Sequence, residues 1–195
     1  MYTGPPIDDP AILDLLPGDL RSFLLRCNGY VAFHGGLHVR GACLTPTWHS
    51  LRHRWFGPEA LQSLFAAVHH DDIPFGEDAL GDQYLLRRGV VYRLAAEIGE
   101  LKSLEVDLQE FDRRVRANPV EYLSLGPLEE FRVTGGTLAP GQLLSVFPPF
   151  VVRESATGVS YRAISAEERI RFLADLARQI SDVPDGAQID LRTGR

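Results

Sequence analysis

Leu20, Phe23, Leu24 and Cys27 fall at i, i+3, i+4 and i+7, so the stretch LPGDLRSFLLRCNG predicts a helix with one apolar face. Pro17 suits its start, Asp19 its first turn, and Asn28-Gly29 its stop. YVAFHGGLHVRG follows. Its apolar and β-branched residues, broken at Gly35-Gly36, predict two short strands in a hairpin. TPTWHSLRHRWFGPEALQSLF reads as a helix in two pieces. Thr45 caps, Pro46 occupies the first turn, Gly57 closes the first piece, and Pro58 restarts the chain. Trp48, Leu51 and Trp55 share a face of the first piece; Leu61, Leu64 and Phe65 mark the second.

IPFGEDALGDQYLL, residues 73–86, sets acids and glycines before an apolar run. Asp and Gly are turn residues, so the reading is a turn-rich loop leading into a strand at QYLL. QYLLRRGVVYRLAAEIGE then predicts strand, turn at Arg88-Gly89, and strand. In SLEVDLQEFDRRVRANP, Asp107 and Glu110 form a capping-box-like pair, and Val106 and Phe111 take the staple positions. Leu108, Phe111 and Val115 line the buried face, and Pro119 stops this helix. Further on, the apolar runs 143–152 and 159–164 predict strands, with Pro148 and Pro149 confining the first to an edge or an irregular course. Ser165 and Glu168 make a second capping box, opening a helix with Ile170, Leu173, Ala177 and Ile180 in register.

These elements do not alternate as repeated βαβ units do. The expected fold is a single α+β domain over residues 1–195, with a largely antiparallel mixed sheet and helices packed on it. A composition of 45% hydrophobic and 24% charged residues suits an ordinary globule that needs no staple. Cys27 and Cys43 have neither metal spacing nor a disulfide framework and read as buried thiols. The N-terminus lacks a signal-peptide pattern, and no apolar run reaches the ~18 residues of a membrane span. The expected location is the cytoplasm. A net charge of −6 argues against nucleic acid and for a basic partner.

The candidate chemistry is sparse. His49 and His53 stand four apart on an expected helix, a spacing that could hold one metal ion, with His69, His70, Asp71 and Asp72 nearby. But Ser50 stands where a zinc protease needs Glu, and Arg52 and Arg54 flank His53. The expectation is no metal and no cofactor. Asp71, Asp72, Glu77, Asp78 and Asp82 lack the alternating oxygens of a calcium hand. There is no nucleophile elbow, and VTGGTLAPG has no phosphate-loop ending. The sequence therefore reads as non-catalytic. Trp48 and Trp55 are core residues by default and binding anchors if exposed.

LPGDLRSFLLRCNGY resembles the opening helix of the SUKH superfamily, the Smi/Knr-type proteins, through Leu16, Pro17, Phe23, Leu24, Asn28 and Gly29. IPFGEDALGDQYLL is similar to that family's apolar-acidic-Gly-Asp-strand segment through Ile73, Pro74, Phe75, Asp78, Gly81, Asp82 and Tyr84. VVYRLAAE with the helix around Phe111 is a weaker third block. The resemblance spans roughly residues 12–123, with 44–70 longer than the pattern and 126–195 an extension expected to pack on the core. It implies an α+β binding module. Bacterial members are regarded as immunity proteins that neutralise toxins, and fungal relatives as regulatory adaptors. On this reading Asp71, Asp72, Glu77, Asp78 and Asp82 would form an acidic face for a basic toxin domain. A metal-dependent hydrolase using His49 and His53 ranks third.

Overall fold

The computed structural model describes residues 1–181 and 183. In chain order the elements are β1 (Tyr2–Thr3), α1 (Pro10–Asp14), α2 (Gly18–Arg26), β2 (Tyr30–Ala32), β3 (Leu37–Val39), α3 (Leu51–Trp55) and α4 (Leu61–Leu64). Then come β4 (Ile73–Asp78), β5 (Gln83–Arg87), β6 (Val90–Ala95), β7 (Glu100–Ser103), α5 (Leu108–Ala117), α6 (Pro119–Tyr122) and α7 (Gly126–Val133). A hairpin of β8 (Gln142–Phe147) and β9 (Ser160–Ser165) leads into α8 (Ala166–Ile180). Strands β1 to β7 form one sheet in sequence order, every neighbour antiparallel, and β8–β9 form a second small sheet. This is an α+β single domain. No helix among the described residues is long and apolar enough to cross a membrane.

The main sheet carries a core on each face. Residues of α1, α2 and α5, including Leu20, Leu24, Phe111 and Val115, pack with Leu37, Val39, Phe75, Tyr84 and Val91 on one side. On the other, Leu85, Leu94 and Ala96 meet Leu61 and Phe65 from the α4 region and Leu143, Ile170 and Leu173 from β8 and α8. Adjacent residues on a strand point to opposite faces, which is why Leu85 and Leu86 divide between the two cores. β8 and α8 therefore close the second face, while Leu128 of α7 joins the first core; residues 182 and 184–195 of the expected extension lie outside the described residues. Leu144 N–H donates to the Ala79 carbonyl at 2.7 Å, tying the small sheet to the β4–β5 turn.

The three longest helices follow the sequence pattern closely. Asp107 accepts from Glu110 N–H at 2.8 Å and Ser165 from Glu168 N–H at 3.2 Å, each capping one orphan amide. The Glu110 carboxylate turns forward to Arg113 and Arg114 instead of back to the cap. Two other regions depart from expectation. Pro46 is extended (ψ 148°), so the first turn there is a 3₁₀ turn over Thr47–His49, and the helix proper begins only at Leu51, capped by Ser50. The expected loop at 73–78 is strand β4, with all six residues buried.

Candidate functional site

β4 lies between β3 and β5 and is covered on both faces, so its acids are interior. Asp72 is 1% exposed and takes Arg87 in a bidentate pair, Nε at 2.6 Å and the second nitrogen at 2.7 Å. Glu77, 2% exposed, meets Arg40, His38 and Gln83. Asp78, 1% exposed, accepts from the amides of Leu80, Gly81 and Asp82 and closes the β4–β5 turn. Asp82 is half-buried, holding Arg93 Nε at 2.8 Å and the Ala96 amide at 2.9 Å. Asp71 is the exposed member of the five. The expected acidic face does not form: three of its acids are buried, two of them on β4, and four hold an arginine.

The two tryptophans also turn inward. Trp55 belongs to the core, with its indole N–H donating to the His70 carbonyl at 3.0 Å. Trp48 is half-buried against the rings of Tyr2, His38 and His49, at centroid distances of 5.1–5.3 Å. Neither stands out as a free anchor. His49 and His53 do not share a helix: His49 ends the 3₁₀ turn and His53 lies in α3. Both His49 ring nitrogens are already engaged, Nδ1 with His38 and Nε2 with the Asn28 carbonyl, so neither lone pair is turned toward His53. No group of three or more His, Cys, Asp or Glu with metal-holding geometry occurs among the described residues.

A polar network missed from sequence occupies the sheet face of His38, Arg40 and Glu77. β3 places His38 directly opposite Glu77, and β5 places Gln83 opposite Glu77. Arg40 donates to Glu77 Oε2 at 2.5 Å, to Gln83 at 2.7 Å and to the Pro74 carbonyl at 2.8 Å. Burial works against the Glu77 charge, but the Arg40 guanidinium and the His38 hydrogen bond outweigh it and hold the carboxyl well below its usual range. The available signal was period two: His38 and Arg40 alternate with Leu37 and Val39, and so share the opposite face.

One open concavity lies elsewhere. Between α2 and α5, over Leu37, Val39 and Phe75, is a cleft of about 310 Å³. Phe23 and Leu108, both half-buried, form its walls. Asp19, Arg26, Gln109 and Asp112 stand among its polar residues. Tyr30 lies in it at 6.1 Å from Phe23, and burial, aided by Asp112, pushes its phenol up to about 12, so the hydroxyl stays a neutral donor. An apolar floor with a few polar groups at its edge is the usual make-up of a binding recess. No protein-family model matches this chain, and no curated protein matches it.

Proposed function

We propose that this chain is a non-catalytic protein-binding module whose α2–α5 cleft receives an apolar side chain of its partner. The observation that carries the reading is the cleft itself: a recess of about 310 Å³ with half-buried Phe23 and Leu108 at its walls and charges beside them. Buried apolar anchors dominate many protein interfaces, and a recess walled this way suits one. The internal pairing of Asp72, Glu77, Asp78 and Asp82 supports the non-catalytic part, because each carboxylate already serves the fold. The SUKH resemblance of residues 12–123 narrows the partner to a toxin domain, making this an immunity protein. A regulatory adaptor of the same fold is the alternative. The acidic-face mechanism is given up, and the His49–His53 hydrolase finds no support in the engaged rings of His49.

Gln109 is exposed at the mouth of the cleft, so Gln109→Arg blocks it without disturbing the core. The tagged chain and this variant are compared in co-purification from the native host and in protection against the toxin domain encoded beside its gene. A partner held by the wild type and recovered at least tenfold less with Gln109→Arg is the expected result. Equal recovery overturns the cleft, and absence of any protein partner overturns the module.

A further inference from the structure

Three hydrogen-bond contacts run in line through the buried network. Glu77 Oε1 faces His38 Nδ1 at 2.8 Å, His38 Nε2 faces His49 Nδ1 at 2.9 Å, and His49 Nε2 faces the Asn28 carbonyl at 2.9 Å. Each contact needs one hydrogen between its two atoms. Both ends are acceptors, since Glu77 is kept ionised by Arg40 and also accepts from Gln83. Two neutral imidazoles bring two ring N–H groups, one fewer than the three contacts. A neutral pair therefore always leaves one contact with lone pair against lone pair. The bare contact is Glu77–His38, His38–His49 or His49–Asn28, according to which ring nitrogens carry the two hydrogens.

We propose that His38 and His49 together hold a third ring proton in the folded protein, one imidazolium charge shared across their mutual contact. It latches the N-terminal segment. Asn28 accepts from His49 through its carbonyl, donates to the Pro5 carbonyl at 2.9 Å, and accepts from the Ala42 amide at 2.7 Å. The packing leaves no slack there, because a side chain in place of Gly4 would strike the Asn28 carbonyl.

The charges facing the pair come from several elements: Glu77 on β4, Arg40 beyond β3 and Arg54 on α3, with Tyr2 of β1 edge-on to His49 at 5.3 Å. Burial pushes each imidazole, taken singly, below its ordinary 6.5, and Arg40 adds to this, while Glu77 opposes it. The ring-to-ring hydrogen bond acts instead on the pair, and the first proton that the pair binds belongs to both rings. The direction we assign to that first proton is upward, because releasing it strands a buried lone pair against an acceptor. A pair that keeps its proton above 6.5 contributes stability that is complete below 6.5 and lost as pH rises through the folded value.

Proton NMR of the full chain with ¹⁵N-labelled histidine counts the ring N–H groups directly at about pH 7. The other four histidines, His34, His53, His69 and His70, are exposed or half-buried, so their ring protons exchange with solvent. Three protected ring protons on His38 and His49 are expected, with a melting temperature that falls as pH is raised above neutrality. His49→Gln keeps a donor for the Asn28 carbonyl and should flatten that slope; if it fails to fold, the wild-type count decides. Any other count overturns the proposal, and so does a wild-type melting temperature that falls on acidification from 6.5 and is flat above it.

Discussion

Glu77 and Asp78 are neighbours on one strand, both inside the protein, yet their surroundings push them in opposite directions. The register sets Glu77 opposite His38 and Asp78 opposite Leu37, on the two faces of the sheet. On the Glu77 side a buried guanidinium and an imidazole donate to the carboxylate, and its pKa falls. On the Asp78 side burial leads, the charge of Asp82 adds to it, and Arg93, at 3.4 Å, is shared between both acids, so the pKa rises well above 3.8. Burial alone does not decide what a carboxylate contributes. The partner does, and here one residue step along β4 changes the partner.

The harshest way to break the comparison is Glu77→Gln. It leaves Arg40, fully buried, without its counter-charge. Removing one member of a buried pair typically costs about 3–5 kcal/mol. Urea unfolding should show this loss at neutral pH. The Glu77 pKa lies below its ordinary 4.5, so its contribution is complete above that value and declines as pH falls through the folded one. The cost of Glu77→Gln should therefore shrink in acid. A cost under about 1 kcal/mol at neutral pH would mean that the pair contributes no more than an exposed one.

These partnerships were hidden in the sequence because they span it. Glu77 finds Arg40 across 37 residues and Asp72 finds Arg87 across 15, and no local pattern reports either. The helices were legible for the opposite reason. α2, α5 and α8 each have one dry face and one wet face, so their apolar residues repeat at the helical period. β4 has no wet face to mark its alternation, and Pro74, Gly76, Glu77 and Asp78 carry turn and surface composition. A loop was the reading that local chemistry allowed. β7, α6 and α7 are short and were not foreseen. The cleft depends on the distance between α2 and α5, two helices separated by most of the main sheet in sequence. Its walls were foreseen as core positions, and their half-exposure was not.

Asp78→Asn sharpens the contrast with a smaller effect. The side-chain carbonyl still accepts from Leu80, Gly81 and Asp82, so the turn keeps its cap. What disappears is a charge that burial and Asp82 both oppose. The expected loss at neutral pH is under about 1 kcal/mol, and a gain is allowed. With a raised pKa, stability from this group is present below 3.8 and lost as pH rises through the folded value. The variant should therefore gain on the wild type as pH rises, the reverse of Glu77→Gln in acid. Parallel pH series on the two variants check this, and slopes of the same sign would dissolve the distinction between the two faces.

The smallest effect is expected at Glu110, where a large pKa shift and a small energy go together. Its carboxylate accepts from Arg113 and Arg114, and those hydrogen bonds pull its pKa down to about 2, in the same direction as Glu77. But the arginines of this group are 69% and 46% exposed, and water competes for every charge in it. Solvated ions lose little when a partner is removed, and salt screens what attraction remains. Glu110→Gln should leave the melting temperature unchanged within error, in low salt and in high. The Asp107 carboxylate accepts from the backbone amide of residue 110, and that bond survives the substitution. If Glu110→Gln cost as much as Glu77→Gln, desolvation would not be what separates the two carboxylates. The partner chemistry would then have to do so alone, although both sites have arginine as the partner.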